Sequence, residues 1–494
     1  MRILIATSEL VPFAKTGGLA DVCSALPVAL SQLGHECVLI LPAYREAIEC
    51  GQPNRQTQVE YEVSIGNKQV SGSFLRSSLP GTNIPVYLVE QDDYYDRPQL
   101  YGSRGEDYRD NCERFVFFCR SVMEAVRLLD LNVDIIHCND WQTGLIPAYL
   151  KTEFSDVPGY ERIGSLMTIH NMAYQGQFWH WDMLLTGMDW KYFNWHQMEF
   201  WGELNLLKTG IVFADAINTV SPRYAQEIQL APLGCGLEGV LAQRQNVVRG
   251  ILNGVDYSAW NPNDDDKLVC KYGLDDWKFG KAAAKLALGA EVNLPVSEDV
   301  PLVGMIGRLA DQKGLDLLAE VLPKWLERDL QWVVLGHGDP KYHEMFQHLA
   351  EQHPDKIAVC LEFSDTLAHR IESAADMFLM PSQYEPCGLN QLYSLRYGTV
   401  PIVRATGGLA DTIVDAHEAA VTDRTANGFS FESYRPQDLD HALGRAVEAY
   451  HQPALWTQLV ETGMRQDWSW NRSAREYADL YREIMSHVKH AVWN

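Results

Sequence analysis

Lys15-Thr16-Gly17-Gly18-Leu19-Ala20-Asp21-Val22 stands just behind the first apolar run of the chain, and Ala405-Thr406-Gly407-Gly408-Leu409-Ala410-Asp411-Thr412 stands near its other end. The hexapeptide Thr-Gly-Gly-Leu-Ala-Asp is the same in both. Each copy follows a strand-like segment, Arg2 to Ala6 or Val400 to Val403, and precedes a helix-like one. A glycine pair lets the backbone approach a ligand closely, and the N–H groups that open a helix favour an anion. Each copy taken alone is also compatible with a plain strand-to-helix turn. Together they point to two similar halves that face one ligand.

The pattern around each copy supports that division. The first copy leads into a helix from Leu19 to about Leu33, closed by Gly34, and then a strand from Glu36 to Leu41, an opening β-loop-α-β unit. From Gln56 to Glu90 short alternating runs between Gly and Pro breaks predict inserted antiparallel hairpins. A helix over Asp110 to Leu129 precedes strands at Val133 to His137 and Ser165 to Ile169. A Trp-rich stretch from Trp179 to about Gly210 reads as helical, and Ser221-Pro222 opens a further helix. After an acidic passage at Asn261 to Asp266, read as a solvated linker, strands recur at Leu302 to Ile306, Trp332 to Leu335, Ile357 to Leu361, Met377 to Met380 and Val400 to Val403. Repeated strand–loop–helix units of this kind imply an α/β class with parallel sheets, and chemistry-bearing residues collect after the strand ends.

Bulk composition narrows the function. A chain of 494 residues predicts two or three domains, and 46% hydrophobic residues are enough for sizeable cores. The formal charge of −24 argues against nucleic acid or anionic membrane as partner. Any anionic ligand therefore depends on a few local Lys and Arg residues. Ten scattered cysteines without metal-ligand spacing, and no apolar stretch of signal-peptide or membrane-spanning kind, predict a cytoplasmic protein with free thiols.

Arg308 and Lys313 lie five apart across a Gly-bounded turn, Gly307 to Gly314, a spacing that lets both reach a diphosphate. The second Gly-Gly turn, Thr406-Gly407-Gly408, is expected to add backbone N–H groups to the same phosphates. Glu385 sits beside Pro386 and Cys387, just before a helix starting near Gly388, and either accepts sugar hydroxyls or caps that helix. Cys387 reads as a small packing residue rather than a nucleophile, since no His partner is evident. Asp140 and His170 follow strand ends in the first half, with Trp141 and Tyr174 near them. They line a sugar pocket, or serve as a helix N-cap and a core histidine. Asp21 and Asp411 are expected in the first helical turn, stabilising its dipole.

Five motifs in order, Lys15 to Val22, His170-Asn171-Met172-Ala173-Tyr174-Gln175-Gly176, Gly307 to Gly314, Glu385-Pro386-Cys387-Gly388-Leu389 and Thr406 to Asp411, resemble the bacterial glycogen synthase and plant starch synthase family across essentially the whole chain. Departures are small. Gln383-Tyr384 stands where the family usually has Arg-Phe, which removes one positive charge, and Met172 replaces a common Leu. The resemblance implies a GT-B fold, two Rossmann-like doubly wound domains with a deep cleft between them. It implies an acceptor-side domain over 1–255 and a nucleotide-sugar-binding domain over 256–465, followed by a helical tail over 466–494 that is compatible with packing on either domain, back on the first included. It also implies retaining transfer of glucose from ADP-glucose to the non-reducing end of an α-1,4-glucan, with no metal or other cofactor.

The same resemblance carries roles to residues. Lys15, His170, Arg308, Lys313 and Glu385 would be catalytic. Arg308 and Lys313 would hold the diphosphate and steady the departing nucleotide, with Lys15 at the distal phosphate or leaving oxygen. Glu385 would grip the glucose hydroxyls, assisted by the amides of Cys387, Gly388 and Leu389. Asp140 and His170 would contact the glucosyl unit, the His170 carbonyl facing the oxocarbenium-like centre. Gly17, Gly18, Asn171, Asn253, Thr406, Gly407 and Gly408 would complete the substrate contacts, and Phe363 would stack on the base. Two readings compete: a retaining GT-B transferase that uses UDP-glucose, and an inactive glucan-binding homologue. The second predicts missing site residues, and Lys15, Arg308, Lys313 and Glu385 are all present.

Overall fold

The computed structural model describes residues 1–103 and 105–492. The chain forms two compact units. One comprises residues 1–254 with the closing helix that begins at Trp470, and the other comprises residues 255–469.

The first unit is built on a nine-stranded sheet. Its strands are β1 (Arg2–Ala6), β2 (Glu36–Pro42), β3 (Arg55–Ile65), β4 (Lys68–Ser78), β5 (Pro85–Glu90), β6 (Ile135–Asn139), β7 (Gly164–Ile169), β8 (Ala216–Thr219) and β9 (Val248–Gly250). They lie in the order β9-β8-β7-β6-β1-β2-β5-β4-β3. β5 through β9 are joined by parallel pairings that run through β2, β1 and β6, and β3 and β4 form an antiparallel hairpin on the edge beside β5. The predicted hairpin region is thus split. Val86 to Val89 alternates little because it is a parallel core strand, while β3 and β4 extend the edge. Ile3, Leu4 and Ile5 of β1 are wholly buried, as a central parallel strand with both faces covered requires. Each such side chain contributes on the order of 2 kcal/mol by leaving water.

The closing helix, Trp470–Val492, packs on this sheet with polar as well as apolar groups. Tyr481 shares a 2.9 Å hydrogen bond with His137 Nδ1, and Asn218 Nδ2 donates to the Tyr477 hydroxyl at 2.9 Å. His137 Nε2 meets Thr168 Oγ1 at 2.7 Å. Burial lowers the His137 pKa to about 3, so the ring is neutral.

The second unit carries a six-stranded sheet: β10 (Leu302–Ile306), β11 (Gln331–Leu335), β12 (Ile357–Cys360), β13 (Met377–Met380), β14 (Val400–Arg404) and β15 (Phe429–Phe431). The order is β12-β11-β10-β13-β14-β15, all parallel. In both units the strand order reverses beside the strand that opens the sheet, β1 next to β6 and β10 next to β13. Loops that follow the strands on either side of such a reversal splay apart, and ligands of doubly wound sheets bind there.

Three expectations are corrected. The stretch from Trp179 to Gly210 is not a helical region. It holds single turns at His180–Asp182, Met183–Thr186 and Trp190–Tyr192 and a small sheet of Gln177–Phe178, Glu199–Phe200 and Glu203–Asn205, and only Leu206–Phe213 is a helix of two turns. Its indoles are too exposed to form one buried helical stripe: Trp179, Trp195 and Trp201 are 62%, 66% and 86% exposed. Asp265 is not solvated. It is buried and accepts from the Tyr397 hydroxyl at 2.6 Å while lying 2.7 Å from His369 Nδ1. Asp411 lies fifth in the six-residue helix Gly407–Thr412, past its first turn. No helix among the described residues is long and apolar enough to cross a membrane.

Candidate active site

In the first unit the loops after β1 and β6 flank the reversal of strand order. Glu9, three residues past β1, is buried and binds the first Gly-Gly turn from beneath. Its Oε2 accepts the backbone N–H of Thr16 at 2.7 Å and of Gly17 at 3.1 Å, and its Oε1 accepts the Thr16 hydroxyl at 2.6 Å. The Tyr101 hydroxyl donates to the same Oε1 at 2.9 Å. The helix Gly18–Gln32 follows. Lys15 and Asp21 form an ion pair at 2.7 Å, with side chains 44% and 38% exposed. Such a surface pair contributes only about 0.2–1 kcal/mol and yields readily to a ligand.

Asp140 follows β6 with φ at +55°, a left-handed conformation unusual for a non-glycine residue. Its carboxylate does not cap the turn it precedes. Oδ1 instead accepts the His170 backbone N–H at 2.7 Å, so the ends of β6 and β7 are tied together. The ring of His170 donates from Nε2 to Asn139 Oδ1 at 2.9 Å, because the Asn139 amide nitrogen is engaged by the Ala6 carbonyl at 3.1 Å. Burial lowers the His170 pKa to about 3 and keeps it neutral. Burial raises Asp140 to about 7, opposed by the His170 amide and reinforced by the charge of Glu9. Asn171 accepts the Ala173 N–H at 3.0 Å in a local turn. Trp141 is a core residue, edge-on to Phe115 at 4.8 Å, and not a pocket wall, whereas Tyr174 is half exposed. Asn253 is buried, and its Oδ1 has no hydrogen-bond partner among the described residues.

In the second unit the loops after β10, β13 and β14 are locked to one another. Gly314 has φ at +73°, and a Cβ there would stand 2.0 Å from the Pro381 carbonyl oxygen. Gln383 donates its N–H to the Gln312 carbonyl at 2.8 Å, and Gln312 Nε2 donates to the Tyr384 carbonyl at 3.2 Å. Gln312 Oε1 also accepts from Arg308 at 2.9 Å. Lys313 Nζ meets Glu385 Oε2 at 2.7 Å, and Ser382 donates to the same oxygen at 3.0 Å. Glu385 is buried, Lys313 half-buried and Arg308 exposed.

The second Gly-Gly turn closes this assembly by packing. A Cβ on Gly407, where φ is +46°, would fall 1.9 Å from the Glu385 carbonyl oxygen, and one on Gly408 would fall 2.1 Å from that of Cys387. Gly408 donates its N–H to the carbonyls of Glu385 and Pro386 at 3.2 and 3.1 Å. That amide therefore serves the loop, where the sequence reading had it face the phosphates. The backbone N–H groups of Gly388 and Leu389, by contrast, have no acceptor among the described residues. Gln391 Nε2 holds the neighbouring carbonyls of Cys387 and Gly388 at 3.0 and 3.1 Å. The Phe363 ring, past β12, is 88% exposed.

Arg308, Lys313, Glu385, Cys387 to Leu389 and Thr406 to Gly408 thus belong to one set of interlocked loops in the second unit. Lys15, Gly17, Gly18, Asp140, His170 and Asn171 occupy the corresponding strand ends of the first. Glu9, Tyr101, Ser382, Gln312 and Gln391 escaped the sequence reading. Glu9 alone left a signal there, an acidic residue between a buried strand and the apolar Leu10-Val11.

Residues 2–243 match the family described as starch synthase catalytic domain, and residues 291–459 match glycosyl transferases group 1. The chain is 48% identical to a glycogen synthase of Rhodopirellula baltica, over 98% of each chain. It is 43% identical to a glycogen synthase of Thermosipho africanus, over 98% of this chain and 99% of that one. Among solved structures, the catalytic domain of starch synthase IV from Arabidopsis thaliana bound to ADP and acarbose superposes with a TM-score of 0.88 at 32% identity, over 98% and 99% of the two chains. A sucrose-phosphate synthase from Thermosynechococcus elongatus, at 16% identity and a TM-score of 0.57 over 98% and 99%, shares the fold alone.

Proposed function

The chain belongs to the glycogen and starch synthase family of GT-B glucosyltransferases, and on that footing we propose that it transfers glucose from ADP-glucose to the non-reducing end of an α-1,4-glucan, with retention of configuration. The observation that carries this reading is the locked loop set of the second unit, where Arg308, Lys313 and Glu385 stand at a reversal of strand order. Loss of a nucleoside diphosphate develops negative charge on the leaving oxygens. Cations fixed before the reaction stabilise that charge without reorganising. Arg308 and Lys313 hold the diphosphate, the first as a planar fork and the second as a point charge. Glu385, steadied by Ser382, accepts glucose hydroxyls while the amides of Gly388 and Leu389 donate to them. Lys313 and Glu385 pair at 2.7 Å, and donor binding redirects the ammonium to the diphosphate and the carboxylate to glucose hydroxyls.

The first unit supplies Lys15 to the departing phosphate, and Asp140 and His170 to the sugar. Because the His170 amide is held by Asp140, the orientation of the peptide unit that carries its carbonyl follows from that bond. A neutral imidazole beside the sugar adds no positive charge to oppose an oxocarbenium-like transition state. The related Arabidopsis starch synthase IV, whose structure holds ADP and acarbose, supports a glucan acceptor and an adenine nucleotide. The reading sets the enzyme in the cytoplasm.

A donor panel tests it. Glycogen with ADP-glucose should gain α-1,4-linked glucose, and UDP-glucose should be used at least ~10-fold less well, as expected when one donor's contacts are built into the site. Preference for UDP-glucose would move the donor assignment, and a β-linked product would overturn the mechanism. Glu385→Ala and Lys313→Ala should each lower kcat by about 10²–10³, the range for removing one preorganised charge contact. Full activity in either variant would remove that residue from the site.

A further inference from the structure

We infer that Glu9 is a positioning residue: its buried carboxylate takes the place of a ligand anion beneath the first Gly-Gly turn and so fixes the turn that presents Lys15. The inference rests on the role given to Lys15 above.

Little else holds the turn. Lys15, Thr16, Gly17 and Gly18 are all exposed, and a Cβ on Gly17 would meet no atom within 4 Å. A loop that is not packed is held by its hydrogen bonds. Here these converge on one carboxylate: two backbone N–H groups and one hydroxyl from the turn itself, and the Tyr101 hydroxyl from the far side. None of the four donors is a cation. The pairing has the form of an anion at a helix N-terminus, with the anion built into the chain.

Two consequences follow. A phosphate cannot use the amides of Thr16 and Gly17, because a carboxylate already occupies them and would repel it. The turn then offers a ligand the Lys15 ammonium, which Asp21 holds at 2.7 Å until it is drawn away, and the Gly18 N–H, which has no acceptor among the described residues. Glu9 in turn acts on the reaction chiefly through where Lys15 stands, its charge also reaching Asp140. Tyr101 also approaches Ser8 Oγ at 2.8 Å, so the anchor is braced to the end of β1 and to a distant loop at once.

A double-mutant cycle on glucose transfer from ADP-glucose to glycogen separates this role from a merely structural one. Glu9→Gln keeps the volume but removes the charge and turns one accepting oxygen into an NH2, which the Thr16 and Tyr101 hydroxyls can meet only by reversing from donor to acceptor. It should lower kcat about 10- to 100-fold, as a misplaced catalytic group does, with KM for ADP-glucose changing less than ~3-fold. In a Lys15→Ala background the same change should cost less than ~3-fold, since the group it positions is gone. Equal losses in both backgrounds, or full kcat in Glu9→Gln, would overturn the inference. Full activity of Lys15→Ala alone would instead overturn the role of Lys15, and with it this one. Should Glu9→Gln fail to fold, Tyr101→Phe removes one donor from the carboxylate; it should lower kcat ~3- to 10-fold and show the same loss of effect in the Lys15→Ala background. An additive Tyr101→Phe would count against the proposal equally.

Discussion

Thr16 to Asp21 and Thr406 to Asp411 are the same six residues in two different physical situations. The first is exposed from Thr16 to Gly18, extended at Gly17, and held there from below by a carboxylate. The second is buried, left-handed at Gly407, and held by close packing of its backbone against that of Glu385 to Cys387. The glycines of the second are required by contact, whereas Gly17 has open space around the position of its missing side chain. Identical sequence therefore does not mean identical use. One turn is a tethered carrier of a cation, and the other is a wedge that shapes its neighbour.

The largest expected effect tests the wedge. Gly407→Ala places a carbon 1.9 Å from a backbone oxygen in a conformation that disfavours side chains, so glucose transfer should be lost and the second unit destabilised by about 3 kcal/mol or more. Gly17→Ala should cost less than about 1 kcal/mol, read by calorimetry, because the backbone there is extended and the space open. Equal losses in the two variants would break the distinction.

A smaller effect concerns the group beside the tether. The folded-state pKa of Asp140 is raised to about 7 from 3.8, so between these values the native state binds more protons than the unfolded chain. Stability from this group is therefore present below about pH 4 and declines as pH rises toward 7. Asp140→Asn keeps an acceptor for the His170 amide and removes the titration. Between pH 5 and 7 the wild type should lose about 1–2 kcal/mol relative to this variant, measured by denaturant unfolding at each pH. A flat profile across pH 5 to 7 would mean that Asp140 is held as the anion.

The smallest effect is at the rim. Asp21→Ala should lower stability by no more than about 0.5 kcal/mol, as exposed ion pairs do. Its counterpart Asp411→Ala lies in the other setting, and comparing thermal midpoints of the two variants sharpens how far the turns diverge.

Much of this architecture was legible in the sequence because buried parallel strands declare themselves. Leu302 to Ile306 and Met377 to Met380 are short apolar runs followed directly by glycine or proline, Val400 to Val403 is such a run ahead of the Gly-Gly turn, and each became a central strand. The site residues were legible through motifs, since Arg308, Lys313 and Glu385 fall in loops whose spacing the fold repeats. Partnership was not legible. That Glu9 lies under Thr16, or that Asp140 binds the His170 amide rather than its own turn, depends on where two strand ends meet, and local spacing carries no such information. Asp265 was misread for the same reason, because its partners Tyr397 and His369 lie more than a hundred residues away in sequence. The Trp-rich stretch was read as helical, and short turns with solvent-facing indoles stood there instead.

The closing helix sets an order of events in the cell. His137 and Asn218, deep in the first sheet, take partners from Tyr481 and Tyr477. Unpartnered polar groups in such positions destabilise a core by about 1–3 kcal/mol each. On the ribosome, the first unit therefore waits for residues made after the second unit has emerged in full. Domains usually mature from the N-terminus onward. Here the second half of the chain is free to finish first, and the N-terminal half is the last to become watertight.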